Sequence, residues 1–487
     1  MQYRARARAG PRLSLIPTLI MIVLALVVAG AIFVGFRVLF APRPRISLGS
    51  PFDLVGRNRP LVLDVKDRAG LKSLRATVTQ GDKEQVIVDE TYDPPRNEVQ
   101  IKWSPAQDPR IHLKDGPGKL TVTARNVSWG GFFKGRASTF NQSFTARLVP
   151  PRIEVLTRQH YVNQGGCDMV VYKVTPAQGE SGVVVGPAFF KGFPLPGAAD
   201  PAVRFAIFAL PYDVDPATPI RVRAQDEAQN ESLVGFWVKV FPRTFRTREI
   251  EVDDAFINKV VPEIMSQTPS LTDQGDLLKN FLAINRDLRK ANNQAIAELA
   301  AKSRAEFLWK EPFLQLSNSQ VEAAFADHRI YRYHGKEIDR QDHLGYDLAT
   351  VAHAPVAASN DGVTIMAQYL GIYGNTIVID HGYGLLSLYG HLSAFNVKEG
   401  DAVHPVKRAQ TIAQSGETGL AGGDHLHFSM VLQGTQVDAR EWWDPHWIRD
   451  RIQAKLEEFG QAGAAQRTSA EAAEKPQRPP RTGKARR

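Results

Sequence analysis

Two histidines separated by a single residue, His425 and His427, stand in the segment HLHFSMVL. If that segment is a strand, positions i and i+2 share a face, so both imidazoles point one way while Leu426 enters the core. Two neutral imidazoles so placed make a metal-binding or acid/base pair, or else an ordinary surface repeat. His343 and Asp347 lie four residues apart in DHLGYDLAT, where Gly345 and the later Pro355 favour a loop leading into a strand over one turn of helix. An imidazole and a carboxylate there offer two donors suited to Zn²⁺, or form a surface ion pair. His391, in LYGHLS, ends a strand that follows the turn HGYG. Cys167 is the only cysteine, so no thiolate cluster can hold a metal, and any metal site must be built from histidine and carboxylate.

Taken together and in order, HLGYD, YGHLS and HLHF resemble the hallmark of the lysostaphin/LytM-type zinc peptidoglycan endopeptidases: H-x-x-x-D, then Y-x-H-L, then H-x-H. The intervening stretches APVAASNDGVTIMA, YGNTIVIDHGYG and VKEGDAVHPVKRAQTIAQSGETG fit as well, and the resemblance covers the catalytic domain over about residues 320–445. It implies that His343, Asp347 and His427 ligate zinc, and that His391 and His425 do not ligate but face the water on the metal. Three protein ligands leave a fourth position open, and zinc lowers the pKa of water there toward roughly 7. One free histidine would orient or deprotonate that water and the other would stabilise the oxyanion, the assignment between them staying open. The resemblance also implies a glycine-lined groove that takes short peptides of D and L residues. Two departures stand out. Where the family commonly has Phe-Gly-x-Arg, this chain has Phe325, Ala326, Asp327, His328 and Arg329; where it commonly has Glu after H-x-H-F, this chain has Ser429. The first is expected to reshape the groove edge, the second to alter tuning while leaving ligation intact.

The other histidines have an ordinary reading. His353, His381 and His404 sit in turns and are expected to make local hydrogen bonds, as are His328, His334 and His446. Asn375 and Tyr383 could line a substrate groove, although Asn beside Gly is also a turn signal.

The elements that must position these residues are short strands joined by glycine-containing turns. Over 311–450 the runs GVTIMAQYL, NTIVIDHG, LLSLYGHL, KEGDAV, QTIAQSG and HLHFSMVLQGTQVD describe a compact antiparallel β domain. Ahead of it, over 253–310, Leu277, Phe281, Ile284, Leu288, Ala291, Ala295 and Leu299 recur at steps of three and four and predict one face of a helix, with a shorter helix near 253–267. This helical pair is a spacer packed on the next domain or a cover over the groove. Residues 45–150 and 151–243 show short alternating runs, among them LVLDV at 61, LRATV at 74, QVIVDETY at 85, LTVTA at 120, VRFAIFAL at 203 and IRVRA at 220. They predict two tandem immunoglobulin-like β-sandwich modules.

Residues 13–36 form one uncharged apolar run long enough to cross the roughly 30 Å hydrocarbon layer as a transmembrane helix. The basic tip 1–12, with Arg4, Arg6, Arg8 and Arg12 and no acid, places the N-terminus in the cytoplasm and everything after the span beyond the cytoplasmic membrane, in the periplasm or its equivalent. A cleaved signal peptide is the rival; the length of the run, and Pro42 directly after Ala41, favour an uncleaved anchor. The four tip arginines and a net +5 in residues 467–487 account for the whole formal charge of +9, so the basicity lies on two tails and no nucleic-acid partner is expected. One amphipathic segment, RIQAKLEEF, follows Asp450, and residues 461–487 read as a disordered basic tail.

The sequence thus predicts a membrane-anchored zinc endopeptidase acting on peptidoglycan peptide stems, with envelope proteins as candidate partners of the β modules. A non-catalytic wall-binding module that activates other murein hydrolases or scaffolds envelope proteins is the competing reading. The two differ in whether all five positions (His343, Asp347, His391, His425 and His427) are kept, and here they are.

Overall fold

The structure is a computed structural model that describes residues 15–397 and 404–460; the expected basic tip, the KEGDAV strand at 398–403 and the basic tail from 461 lie outside the described residues. The chain divides into two compact units, one comprising residues up to Pro150 with the turn Asp226–Asn230, the other comprising Pro151–Gln225 and the chain from Glu231 onward.

The first unit begins with a helix, Leu15–Leu39, whose segment Ile16–Leu39 is long and apolar enough to cross a membrane and has no buried residues. It is followed by a six-stranded sheet. The runs LVLDV and LRATV, expected as separate strands, are one strand, Leu61–Gln80, paired with a partner of similar length, Lys83–Trp103. Register shifts between Lys66 and Leu71 and between Leu71 and Ser73 change which residues face inward: Leu61, Leu63 and Val65 are buried before them, and Leu74, Ala76 and Val78 after. With a side-chain period of two, such an irregularity is what lets one continuous strand keep its apolar residues inside while it bends.

In the second unit, residues 151–243 form two four-stranded sheets and a two-stranded one. The C-terminal part is built on an eight-stranded antiparallel sheet. Its strands run, in spatial order, Gln320–Ala323, Tyr346–Ala349, Leu426–Leu432, Leu385–Leu392, Asn375–Asp380, Gly362–Tyr369 and His404–Val406, with Thr435–Val437 paired to Leu426–Leu432. One face, carrying Val378, Leu386, Leu388 and Val431, packs against helices through Val260, Val261, Ile264, Phe281 and Ile284. The other, carrying Ile377, Ile379, Tyr389, Phe428 and Met430, joins one hydrophobic core with Phe205, Phe208 and Val222 of the preceding β segment. Coverage on both faces explains why Leu385–Leu392 and Leu426–Leu432 are buried along their entire length.

The helices run Asp254–Gln267, capped by the Asp253 carboxylate on the Phe256 amide, and Leu277–Ala300. In the second helix the buried stripe follows the expected Phe281, Ile284 and Leu288, and then runs through Asn292, Ile296 and Ala300 instead of Ala291, Ala295 and Leu299. A π turn at Ile284–Leu288 is the cause. Each of its hydrogen bonds encloses one more residue than an α turn, which rotates everything after it by about one position. Leu277, at the expected start of the stripe, is exposed. The segment after Asp450 is helical and returns to the β segment, where the Lys455 ammonium donates to Asp168 Oδ1 and the Met169 carbonyl, both at 2.6 Å.

Candidate metal centre

Strand register brings the chemistry together. Asp347 in Tyr346–Ala349 pairs directly with His427 in Leu426–Leu432, and His427 pairs on its other side with Gly390, the residue before His391. His343 ends the strand Lys336–His343, and Leu344–Gly345 turns the chain into the strand of Asp347, so the four-residue spacing is that of a loop and not of a helix. Gly345 is required here: a Cβ on it would lie 2.6 Å from both His427 Nε2 and Ser429 Oγ. His391 sits at φ +60°, a left-handed conformation rare for a non-glycine residue, held where the surrounding sheet fixes it. Leu426, between the two histidines of the triplet, is buried in the core, as a strand requires.

One ligand atom each from His343, Asp347 and His427 lies within 4.8 Å of the other two. Asp347 Oδ1 is 2.9 Å from His343 Nε2 and 3.0 Å from His427 Nδ1, and those two nitrogens are 3.1 Å apart. Their far nitrogens settle the tautomers. His343 Nδ1 is 3.0 Å from the Ala324 carbonyl, which can only accept. His427 Nε2 is 2.9 Å from Ser429 Oγ, whose own proton goes to the Leu344 carbonyl at 2.6 Å, so the hydroxyl accepts from the imidazole. Both inward nitrogens therefore present bare lone pairs. Burial holds the His343 imidazole below its ordinary pKa and pushes that of His427 down to about 4, so neither ring protonates near neutral pH to relieve the crowding. Burial alone would raise the Asp347 carboxyl, but the imidazoles of His343, His425 and His427 outweigh it and hold the group well below the usual carboxylate range. Two lone pairs and an anionic oxygen within about 3 Å of one another repel unless a cation lies among them. Nitrogen and oxygen donors with no thiolate fit Zn²⁺.

The remaining two histidines stand on the same wall, their rings 4.7 Å apart. His391 Nδ1 donates to the Thr418 carbonyl and His425 Nδ1 to the Gly423 carbonyl, each at 2.8 Å, so both turn Nε2 away from those anchors. Burial, then the neighbouring imidazoles, hold His391 well below its ordinary pKa. Burial also lowers His425, but the Asp347 carboxylate, 3.5 Å from its Nε2, reverses the net direction upward. The pair thus offers one imidazole that stays neutral and one that takes a proton more readily.

These groups line a cavity of about 290 Å³. Among the described residues Gly422 is the only glycine lining it; the wall is aromatic, aliphatic and charged, with Tyr331, Tyr373, Ile372, Arg289, Asp253 and Phe256 facing it. Among the described residues, Gly345 lies behind the ligands and gives them clearance, and does not line the cavity. Neither Asn375 nor Tyr383 lines the cavity; Tyr383 packs in an aromatic cluster with Phe193, Phe205 and Phe307. His381 is buried, bonded to the Asp361 carbonyl and Ser387 Oγ, His353 contacts Ser393 Oγ, and His328 pairs with Asp342. Sequence reasoning did not single out Arg289, Tyr331 or Tyr373. Arg329 was visible only as the terminal arginine of the altered Phe-Gly-x-Arg motif, and it places Nη2 2.7 Å from Asp347 Oδ2.

Residues 341–439 match the sequence profile of Peptidase family M23. The peptidoglycan DD-endopeptidase ShyA of Vibrio cholerae is 40% identical over 97 residues, which are 20% of this chain and 22% of that protein. The DD-carboxypeptidase/endopeptidase Mpg of Neisseria meningitidis is 40% identical over 96 residues, 20% of this chain and 21% of that one. The chain thus matches only about a fifth of the length of these curated relatives. Among solved structures, the catalytic domain of lysostaphin from Staphylococcus simulans is similar at 27% identity over 30% of this chain and 96% of its own, with a TM-score of 0.19. A zinc-containing peptidase from Vibrio cholerae is similar at 17% identity over 66% of this chain and 56% of its own, with a TM-score of 0.22. All five imidazole and carboxylate groups of the candidate centre lie within residues 341–439, the stretch that matches Peptidase family M23.

Proposed function

We propose that this protein is a membrane-anchored zinc endopeptidase that hydrolyses peptide cross-links of peptidoglycan. The observation that carries the reading is the convergence of three unprotonated donors, His343 Nε2, Asp347 Oδ1 and His427 Nδ1, beside two imidazoles anchored through their far nitrogens. His343, Asp347 and His427 would hold the zinc, which supplies Lewis acidity toward a water molecule and an amide carbonyl. His391 and His425 would do the proton work and stabilise charge, one accepting a proton from the water and the other donating a hydrogen bond to the developing oxyanion or a proton to the leaving amine. Tyr373, Tyr331 and Phe256 line the cavity and would limit water around a scissile bond held there.

The helix Leu15–Leu39 serves as an uncleaved anchor with the arginine-rich tip in the cytoplasm and the M23 domain on the far side of the membrane. The β segments 45–150 and 151–243 act as immunoglobulin-like modules of a stalk that offers surface to envelope proteins, and the helical pair in 253–310 acts as a spacer whose edge also walls the cavity. Purified full-length protein should contain one zinc per chain and cleave cross-linked muropeptides. Chelator should abolish cleavage, zinc should restore it, and His427→Ala should lack both metal and activity. Cleavage that survives chelation, or a protein that cannot be loaded with metal, would replace this reading with that of a wall-binding adaptor.

A further inference from the structure

The first unit carries an apolar feature that its own core does not use. Between the strands Gly116–Asn126 and Ala137–Ala146, the loop Val127–Arg136 holds Phe132 83% exposed, Phe133 65% exposed and Trp129 41% exposed. Phe132 and Phe133 adopt φ of +54° and +68°, conformations costly for bulky side chains, and the result is two rings turned outward. The loop is fixed to the C-terminal end of the apolar helix. The Trp129 and Phe33 rings meet edge to face at 6.3 Å, and the Arg37 guanidinium lies 5.7 Å from the Trp129 ring. Arg136 Nη2 donates to the Leu39 and Val38 carbonyls, and Asn126 Nδ2 donates to the Pro42 carbonyl.

Depth follows from helix geometry. The 25 residues of the helix measure roughly 37 Å, more than the roughly 30 Å hydrocarbon layer, and Phe33 falls roughly 27 Å from Leu15. In a hydrocarbon layer entered at Leu15, Trp129 would lie level with the far boundary between acyl chains and headgroups, where aromatic side chains concentrate. Arg37, Arg68 and Lys134 are exposed around it, and no acidic residue occurs from Val127 to Arg136.

We propose that this loop is a second membrane contact: Trp129, Phe132 and Phe133 insert into the interfacial layer of the bilayer that the helix spans, while Arg37, Arg68 and Lys134 face lipid phosphates. The proposal rests on the helix being a membrane span. It seats the first β unit on the membrane surface, in place of a unit swinging freely from its anchor.

Full-length protein is reconstituted into vesicles of phosphatidylethanolamine and phosphatidylglycerol with a polarity-sensitive fluorophore on Phe132→Cys, and separately on Phe133→Cys. Cys167 is fully buried and leaves the new thiol as the labelling site. The reference is Asp82→Cys, in the turn at the far end of the sheet, eight strand residues and about 27 Å from the loop end. Labels at 132 and 133 should emit at shorter wavelength than the label at 82 and be quenched by lipids spin-labelled near the headgroup. If the protein floats with the vesicles but 132 and 133 behave like 82, the loop contact is overturned and the span stands. If the protein does not float, both are overturned.

Discussion

Arg329 and Asp347 divide the site carboxylate between two tasks: Arg329 Nη2 lies 2.7 Å from Oδ2, while Oδ1 faces His343 and His427 at 2.9 and 3.0 Å. The guanidinium thereby fixes the rotation of the carboxylate and leaves a single oxygen for a cation. Lysine in its place keeps the charge but loses the planar fork. Arg329→Lys should weaken zinc affinity roughly tenfold or more, in line with other groups that orient metal ligands. A competition titration against a chromophoric chelator measures this, and an unchanged affinity would remove Arg329 from the account.

The division between holding metal and moving protons can be read by measuring two quantities on each variant. His343→Ala and His427→Ala should lose zinc and activity together. His391→Ala and His425→Ala should keep zinc while the turnover number drops by roughly 10²–10⁴, the range for general acid/base groups. Metal loss in His391→Ala would make that residue a ligand and undo the assignment.

Glu263 links the helices to the site. Its Oε1 accepts from the Gly419 amide at 2.9 Å and the Tyr369 hydroxyl at 3.2 Å, and the neighbouring Thr418 carbonyl is what anchors His391 Nδ1. Glu263→Ala removes both hydrogen bonds and frees that loop, which should lower turnover roughly tenfold or more without loss of zinc. Glu263→Gln keeps a carbonyl acceptor and should recover most of the rate. Equal rates for the alanine variant and the parent would sever the helix from the chemistry.

What the sequence made legible here follows from local rules. Period two put His425 and His427 on one face, and Gly345 marked the turn that carries Asp347 to His343. Contributions that depend on long-range packing were not legible. Nothing local to Tyr373, Arg289 or Asp253 shows that the helices pack on the sheet face beside the cavity. The helical stripe was readable up to Leu288 and then displaced, because a π turn changes the period without changing the kind of residue involved. Likewise the bends that make Leu61–Gln80 one strand are irregularities of pairing, which depend on the partner strands as much as on the run itself.

Stability should carry its own pH signature through Glu441, a buried residue on the short helix Ala439–Trp443. Its carboxyl is pushed up to about 8 by burial, with the nearby carboxylates of Asp438 and Asp168 adding to the shift, even though Asn163 Nδ2 and the Cys167 amide donate to it at 2.8 and 2.6 Å. A carboxyl whose folded pKa exceeds its unfolded value near 4.5 binds its proton more tightly when folded. The associated stability is complete below about 4.5 and is lost as pH rises through about 8, for a total on the order of a few kcal/mol. Glu441→Gln imitates the protonated form at every pH and removes this dependence, while the buried histidines His160 and His381, whose shifts do not come from Glu441, titrate alike in both proteins. Denaturant midpoints of parent and variant should coincide near pH 4 and separate toward pH 8.5, the glutamine variant being the more stable. A gap that stays constant across that range would mean that the Glu441 side chain is ionised in the folded protein throughout and that its burial is compensated by the two amide donors.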